Sequence, residues 1–257
     1  MILTIDVGNT NIVLGVFDGD TLVFECRLTT NLHETADEYA IKLSSVFHVR
    51  NIDAKKIDGG IISSVVPPLS QTLAEAVRLL TGCRPLIVGP GLKTGINIKI
   101  DNPGELGADM VVATAASIAK YPLPQIVCDL GTAITVSVID SSGAYRGGAI
   151  ACGIKTALNA LSGSTAQLPQ IHLGAPEKAI GTNTADCMNS GAVFGTAAMI
   201  DGLVHRFEQE LGEKAFVVLT GGFGPMIAKY CTCETTVDND LLLDGLRILY
   251  NKNKPKK

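Results

Sequence analysis

The chain has 257 residues, of which 46% are hydrophobic and 18% are charged, with a formal net charge of −4 and a sequence pI of about 5.6. This length suits one large domain or two domains of ordinary size. The acidic balance and the lack of a basic stripe argue against nucleic acid as a partner.

The mean hydropathy of +0.30 is high, yet no apolar run reaches the roughly 20 residues that span a bilayer. The N-terminus lacks the positively charged segment of a signal peptide, so we expect no membrane association. The apolar surplus is expected to lie between layers or in a subunit interface. The cysteines number seven and form no CxxC pair, which predicts reduced core thiols in a cytoplasmic protein. Cys231-x-Cys233 could bind a metal, but no second ligand pair is near it in the sequence.

The first third of the chain alternates strand and helix patterns. MILTIDVGNTNIVLGVFDGDTLVFECRL predicts antiparallel strands joined by tight turns. Apolar residues between 36 and 47 recur at helical spacing. IDGGIISSVV predicts a buried strand that stops at Pro67-Pro68, and SQTLAEAVRLLTG predicts a helix with Ser70 as N-cap and Gly82 as its stop. PLIVGP predicts another strand, and MVVATAASIAKY a helix.

The same order begins again about 120 residues downstream. When ILTIDVGNTNIVLGVFDGD is set above QIVCDLGTAITVSVIDSSG, Asp6 aligns with Asp129 and Gly8 with Gly131. This second half continues with a helix around 155–162, then the strand and loop FVVLTGGFG, and finally the helix LLLDGLRILY. The period is too long for a solenoid, so it indicates two similar α/β domains.

We therefore predict an N-terminal domain of residues 1–117 and a C-terminal domain of residues 118–257. Each would be a sheet that starts with a hairpin and carries helices on its faces. Asp6 and Asp129, both at strand ends, would then face one another across a cleft between the domains, where ligands of such folds usually bind.

Two matched loops carry the predicted phosphate chemistry. Glycine lets the backbone approach an anion closely, and exposed N–H groups with Thr or Asn side chains can donate to phosphate oxygens. An aspartate beside them can hold a divalent cation. Either loop alone could be an ordinary capped turn, but the matched pair favours phosphate binding. The residues concerned are Asp6, Gly8, Asn9, Thr10 and Asn11 in the first loop and Asp129, Gly131 and Thr132 in the second.

A third loop, Thr220-Gly221-Gly222-Phe223-Gly224, follows an apolar strand. A glycine-rich turn of this kind lets the backbone lie flat against a planar or phosphorylated ligand, although glycine pairs also end strands for steric reasons. Together with the two matched loops, Gly221 and Gly222 indicate the nucleotide side of an ATP site.

This combination resembles the phosphate and adenosine motifs of the acetate and sugar kinase/Hsp70/actin superfamily. Within it, the chain is most similar to the type III pantothenate kinases. The resemblance spans Met1 to about Tyr250 and rests on segments in family order: IDVGNTNIVLGVF, SSVVPPL, DNPGELGAD, CDLGTAITVSVI, GGAIACG, STAQLPQI, GTNTADCMNSG and TGGFG.

The resemblance implies an α/β fold of two tandem ribonuclease-H-like, actin-like ATPase domains with an active-site cleft between them. It implies ATP-dependent phosphorylation of pantothenate, the first step of coenzyme A synthesis. It also implies a homodimer that depends on Mg²⁺ and on a monovalent cation, K⁺ or NH₄⁺.

The resemblance further assigns the acceptor side of the site. Asp109 of the motif Gly107-Ala108-Asp109 would be the general base on the pantothenate hydroxyl, although a carboxylate at a helix start can also cap amides. Thr184 of GTNTADCMNSG would contact pantothenate, and it could also be the N-cap of the following helix.

Met110 departs from the family pattern, in which arginine usually follows this motif. Methionine cannot replace the charge or the forked donors of arginine. Another cation must then contact the acceptor carboxylate, or the acceptor is bound differently. Arg146 and Lys155 are the nearest candidates in the sequence. A kinase for another small hydroxyl substrate, and a non-catalytic nucleotide- or pantothenate-binding regulator, remain alternatives to a pantothenate kinase.

Overall fold

The computed structural model describes residues 1–254, and the chain divides into two compact units. Unit 1 contains Met1–Gly95, Gly104–Ala116 and the described residues from Leu242 to Lys254, and unit 2 contains Ile96–Pro103 and Ser117–Leu241. The strands are β1 Ile2–Val7, β2 Asn11–Asp18, β3 Thr21–Thr29, β4 Gly59–Ser64, β5 Leu86–Ile87, β6 Asn97–Ile98, β7 Gln125–Leu130, β8 Ala133–Ile139, β9 Ala144–Cys152, β10 Phe216–Thr220 and β11 Thr236–Val237. The α-helices are α1 Ala36–Val49, α2 Pro67–Thr81, α3 Ala108–Lys120, α4 Ile154–Ser164, α5 Thr184–Leu211, α6 Gly224–Ile227 and α7 Leu241–Asn253.

The sheet of unit 1 has five strands in the order β3-β2-β1-β4-β5. The meander β1-β2-β3 is antiparallel, as the hairpin pattern predicts, and β4 and β5 join it in parallel. Strand β1 is therefore central. Four of its six residues are buried, and its buried apolar residues form a core with α1 and α2.

The helices of unit 1 begin at strong sequence signals. Thr35 caps α1 in a capping box with Glu38, in which each side chain accepts from the other residue's backbone N–H. Helix α2 begins at Pro67 rather than after Ser70, so the prediction of Ser70 as N-cap was wrong. Proline suits the first helical turn because its missing N–H would have no helical partner there. Gly82 ends α2 in the left-handed conformation, as predicted.

The sheet of unit 2 repeats this order. Its six strands run β11-β10-β7-β8-β9-β6, so β7, β8, β9, β10 and β11 occupy the places of β1 to β5, and β6 is added at the edge. The pairing directions also agree: β7-β8-β9 is an antiparallel meander and β10 lies parallel to β7. The internal repeat read from the sequence is thus present as matched topology. The apolar residues of β7, β8 and β10 pack with α4 and α5.

The compact units are not continuous stretches of chain. Helix α3 begins in unit 1 and ends in unit 2, whereas α7 follows β11 of unit 2 and lies in unit 1. Short strand β6 belongs to unit 2 because it pairs with β9. Hydrophobic periodicity shows which face of a helix is apolar but not which sheet it covers, so the domain boundary after residue 117 stays a prediction.

The cysteines are all free thiols, but only Cys128 is buried. The expectation of core thiols therefore holds for Cys128 and was wrong for Cys152 and Cys187, which are exposed. Among residues 1–254, no helix is long and apolar enough to cross a membrane.

Gly245 sets the approach of α7 to α3 within unit 1. A Cβ atom at position 245 would lie 2.3 Å from the carbonyl oxygen of Val112 and 2.8 Å from its Cγ1. We expect Gly245→Ala to lower the free energy of unfolding by about 1–3 kcal/mol through overpacking, even though alanine is the better helix former. Urea unfolding followed by circular dichroism measures this.

The matched control is Gly202→Ala in α5, where an added Cβ would meet nothing within 4 Å. That change should leave stability unaltered or raise it by up to about 1 kcal/mol. Equal effects of the two substitutions would contradict the close crossing at Gly245.

Candidate active site

In unit 1, the first predicted phosphate loop joins β1 to β2. Asp6 is the penultimate residue of β1, lies opposite Val13 of β2 and Ser63 of β4, and has its Oδ1 atom buried. The Gly8 N–H donates to the Asn11 carbonyl at 2.9 Å, which closes a tight turn. The turn residues are exposed, namely Asn9, Thr10 and Asn11. Polar groups thus point outward directly beyond a half-buried carboxylate, as phosphate binding requires.

The loop is fixed from behind by Thr30, just beyond the end of β3. Its hydroxyl donates to the Gly8 carbonyl at 2.7 Å and its N–H to the Thr10 carbonyl at 3.0 Å. These bonds occupy two carbonyl oxygens of the turn. The sequence pattern gave no signal for Thr30, because its hydrogen bonds join residues about 20 positions apart.

Also in unit 1, the predicted acceptor motif lies at the start of α3. Ala108 is the first residue of the helix, and the Asp109 carboxylate accepts the N–H of Met110 at 2.8 Å. A Cβ atom on Gly107 would lie 2.5 Å from Asp109 Oδ1. Glycine at 107 therefore leaves the space that the Asp109 carboxylate occupies. This gives a physical reason for the Gly-Ala-Asp pattern, which the sequence alone supported only by resemblance.

Burial raises the pKa of Asp109 above its ordinary value, against the lowering effect of the Met110 and Asp109 backbone N–H groups. A carboxylate with a raised pKa is a stronger base than an exposed one. The site thus combines a defined position with enhanced basicity.

In unit 2, the second predicted phosphate loop joins β7 to β8 in the same way. Asp129 is the penultimate residue of β7 and lies opposite Thr135 of β8 and Thr220 of β10. The Gly131 N–H donates to the Ala133 carbonyl at 3.0 Å, so this turn is one residue shorter than its counterpart. Thr132 is exposed at its tip.

The glycine-rich loop after β10 meets Asp129 directly. Gly221 has φ +83°, and a Cβ atom there would lie 2.3 Å from Asp129 Oδ1 and 2.7 Å from the Leu130 nitrogen. The conformation and the contact both exclude other residues. The Phe223 N–H donates to the Leu130 carbonyl at 3.3 Å, which folds the loop over the end of β7. Exposed Gly222 lies between these contacts.

Gly153 and Thr156 are further residues at this loop for which the sequence reading assigned no role. The Thr132 carbonyl accepts from the Gly153 N–H at 3.2 Å and from the Thr156 hydroxyl at 2.8 Å, and a Cβ on Gly153 would lie 2.2 Å from that oxygen. The first turn of α4 therefore holds the loop in place. The glycine that ends GGAIACG was the available signal, since a glycine directly before a helix can mark a close approach of backbone.

Ser63 and Thr220 occupy equivalent positions in the two sheets, and the sequence pattern did not predict this match. They lie beside Asp6 and Asp129 at the same register of the neighbouring parallel strand. Both residues are fully buried, and within the described part of the chain neither hydroxyl has a hydrogen-bond partner. Each half of the repeat thus places a hydroxyl next to its strand-end carboxylate.

Thr184 lies in unit 2 on a separate element from the Asp129 loop. It is the first residue of α5 and is exposed, while Asn183 is the N-cap and accepts the Asp186 N–H at 2.9 Å. The interpretation of Thr184 as N-cap was therefore wrong. Because the cap role belongs to Asn183, the Thr184 hydroxyl is available for another partner.

The two cations considered as substitutes for the family arginine differ in their surroundings. Arg146 pairs with Asp140 at 3.1 Å. Lys155 is exposed in the first turn of α4. Met110 itself is half-buried at the start of α3. Arg146 would have to leave its carboxylate to bind another one, whereas Lys155 has no such ion pair with residues 1–254.

The side chains that commonly bind metals are dispersed in the part of the chain that the structure describes. Among the described residues, no group of three or more His, Cys, Asp or Glu side chains could hold a metal ion. The segment around Cys231-x-Cys233 is fixed by Asp201, which accepts the N–H groups of Thr232 and Cys233. A cation at Asp6 or Asp129 would thus need ligands from phosphate and water, as Mg²⁺ with a nucleotide commonly has.

Comparison with known proteins decides the family. The sequence model described as type III pantothenate kinase matches residues 2–206. The chain belongs to the type III pantothenate kinase family. A type III pantothenate kinase from Exiguobacterium sp. strain AT1b is 44% identical over 99% of this chain and 100% of its own length.

Solved structures support the fold of this type III pantothenate kinase family member. A Campylobacter jejuni protein of the Baf family of transcriptional activators has a TM-score of 0.62 at 19% identity, with 98% of both chains covered. An inorganic polyphosphate/ATP-glucomannokinase from Arthrobacter sp. strain KM has a TM-score of 0.52 at 13% identity, with 98% of this chain and 99% of that chain covered. The fold is thus that of the actin-like ATPases and sugar kinases, with two ribonuclease-H-like domains, as predicted.

The raised pKa of Asp109 predicts a stability effect in this kinase family member. A carboxyl group whose pKa is higher in the folded state destabilises the fold at every pH above that raised value, where it is charged. We expect Asp109→Asn to raise the melting temperature at pH 8, and in a protein of this size each 1 kcal/mol gained would raise it by about 2–4 °C. The gain should vanish below about pH 3.9, where the ordinary carboxyl is protonated in both states.

Asp201→Asn is the matched control for this measurement. Burial acts to raise the pKa of Asp201, but hydrogen bonds from Cys233 and Thr232 outweigh it, so that the pKa is lowered. Asp201→Asn should therefore lower the melting temperature at pH 8. Differential scanning calorimetry of both variants across pH measures these effects. A lower melting temperature for Asp109→Asn at pH 8 would contradict a raised pKa of Asp109 in the folded protein.

Proposed function

We propose that this protein transfers the γ-phosphoryl group of ATP to the hydroxyl of pantothenate, the first step of coenzyme A biosynthesis. The observation that carries the proposal is the family match over residues 2–206 in a chain that retains Asp6, Asp109 and Asp129 at defined positions of the fold. Membership of a kinase family makes the protein a phosphotransferase that depends on ATP.

In this proposal the two matched loops bind the phosphates of ATP. We assign Asp6 and Asp129 to the cations that accompany the phosphates of ATP, with Gly8, Thr10 and Thr132 as phosphate contacts. Both carboxylates stand at the end of a buried strand beside a turn that exposes backbone and polar groups. The metal ion would neutralise charge that develops on the transferring phosphoryl group. Further contacts are assigned to Asn9, Asn11, Gly131, Gly221 and Gly222.

The acceptor side falls to the start of α3. Asp109 accepts a hydrogen bond from the pantothenate hydroxyl and orients its oxygen for in-line attack. Because the transition state of phosphoryl transfer is loose, this orientation matters more than full removal of the proton. Gly107 leaves room for the carboxylate, and Ala108 and Thr184 complete the proposed contacts with pantothenate.

We further propose Mg²⁺ as the divalent ion, K⁺ or NH₄⁺ as a monovalent activator, a homodimer as the assembly and the cytoplasm as the location. The family resemblance supports these assignments. Ile150, at 72% exposed, and Leu161, at 43% exposed, are large apolar side chains of unit 2 that a partner subunit could cover.

Met110 supports one alternative, a kinase for another small alcohol. Pantothenate carries a carboxylate, and the half-buried thioether of Met110 cannot pair with it as arginine would. The reaction chemistry assigned to Asp6, Asp109 and Asp129 would be unchanged, and only the acceptor would differ. A regulator without activity is less favoured, because it would have no use for a buried base at Asp109.

An acceptor screen tests the function. With ATP, Mg²⁺ and K⁺, we expect 4'-phosphopantothenate from pantothenate, detected by mass spectrometry, and little product from other small alcohols. Asp109→Asn should lower kcat by about 10²-fold or more. Below neutral pH, kcat/KM should fall as Asp109 is protonated, with a midpoint above the ordinary value of about 3.9 because the pKa is raised.

Asp37→Asn is the matched control, since Asp37 also lies in the first turn of a unit 1 helix but is exposed. It should keep kcat within twofold. Near-normal turnover by Asp109→Asn would refute the base assignment. Product from a different alcohol alone would favour the second candidate, and no product with any acceptor would favour the regulator.

The phosphate-side carboxylates have a separate test. Asp6→Asn and Asp129→Asn should each lower kcat by about 10²-fold or more while the melting temperature changes little, because the cation is held less well. EDTA should abolish turnover and excess Mg²⁺ restore it, and replacing K⁺ by Na⁺ should slow it. Coupled detection of ADP measures all of these.

Asp18→Asn is the control for these variants. Asp18 also ends a strand of the unit 1 sheet, but it is exposed and lies at the end of the sheet opposite to Asp6. Its turnover should match the wild type. Turnover that persists in EDTA, or in both phosphate-side variants, would contradict the assignment of a cation to these carboxylates.

A further inference from the structure

The C-terminal end of α3 is held by an ion pair that the reaction chemistry above does not use. Asp238, just beyond β11, accepts the Tyr121 hydroxyl at 2.7 Å and lies 2.7 Å from the Lys120 ammonium. The Asp238 side chain is only 8% exposed. A carboxylate this buried is retained only where its partners stay in place, so the position of the last residues of α3 depends on Asp238.

The same end of the helix is also bound to β7 and β10. The Gln125 side-chain amide donates to the carbonyls of Ser117 at 3.0 Å and Tyr121 at 2.7 Å, which occupies carbonyl groups that a helix end leaves without helical partners. The Tyr121 ring stacks on Phe216 with the centroids 5.2 Å apart. Residues of β7 and β10, together with the residue that follows β11, thus hold one helix end.

The other end of α3 carries Asp109, eleven positions before Lys120. At 1.5 Å per residue this separation is about 16 Å along the helix axis. The turns between are tightly packed, with Val112, Thr114 and Ala116 fully buried. We expect a continuous helix with these closely packed turns to move as one body, so that a shift at Lys120 would displace Asp109.

We propose that Asp238 is a positioning residue for phosphoryl transfer, which fixes the end of α3 through Lys120 and Tyr121 and thereby orients Asp109 at its start. The inference rests on the proposed function, since it assigns Asp109 to the reaction. It extends that function to a residue far from the Asp109 carboxylate along the helix. A misplacement of about 1 Å from such a site can cost up to 100-fold in rate.

A purely structural role for Asp238 makes a different prediction. The variant would then melt at a lower temperature, but its folded molecules would turn over normally. Asp201 provides this reference case, because it is another unit 2 carboxylate that accepts hydrogen bonds, from Thr232 and Cys233, and it contacts backbone outside α3.

The experiment compares Asp238→Asn, Tyr121→Phe and Asp201→Asn in the full-length protein. For each variant, kcat and KM for pantothenate are measured at saturating ATP. Titration calorimetry gives the Kd of a non-hydrolysable ATP analogue, and scanning calorimetry gives the melting temperature. We expect Asp238→Asn to lower kcat by at least about tenfold while the analogue Kd stays within twofold. Tyr121→Phe keeps the Lys120 pair and should lower kcat by about threefold. Asp201→Asn should melt lower and keep kcat within twofold.

The inference is overturned if Asp238→Asn keeps the wild-type kcat, or if the analogue Kd rises as much as kcat falls. If Asp238→Asn does not fold, Tyr121→Phe decides, and an unchanged kcat in that variant overturns the inference. Wild-type turnover of pantothenate separates the two proposals. If the wild type phosphorylates pantothenate and Asp238→Asn has the same kcat, only the positioning role fails. If the wild type is inactive with pantothenate, the proposed function and the positioning role fail together.

Discussion

A carboxylate at the end of a buried strand needs surroundings that stabilise its charge, and this constraint organises both sheets. In each unit the central strand places its penultimate residue there, Asp6 or Asp129, and a glycine turn follows at once. Small residues surround these carboxylates because larger ones would occupy their space. A Cβ atom added at Gly221 would lie only 2.3 Å from Asp129 Oδ1, which shows this directly.

The exchange of helices between the units follows from chain order. The next α-helix after the fifth strand of each half is α3 in the first half and α7 in the second. Helix α3 extends into the other compact unit, and α7 lies in the other unit apart from its first residue. The loops that carry chemistry and the helix that carries Asp109 are therefore linked by continuous backbone.

Sequence reasoning predicted the parts of this protein that depend on neighbouring residues. The hairpin turns, the capping of α2 by Gly82 and the repeat of Asp6 at Asp129 follow from local patterns. It failed at Ser70, where Pro67 was read as a strand stop although proline also starts helices, and at Thr184, where Asn183 is the cap. In both cases two nearby residues could each mark the start of the helix, and the prediction chose the wrong one.

The contacts that sequence reasoning missed join residues far apart in the chain. Thr30 supports the Gly8 turn, and Gly153 supports the Thr132 turn from the first turn of α4. The hydrogen bond from Tyr121 to Asp238 spans 117 positions, and no spacing rule connects them. Such contacts arise from sheet order, which brings strand ends together regardless of their distance in sequence. The motif residues define the chemistry, and these distant partners determine how firmly the motifs are held.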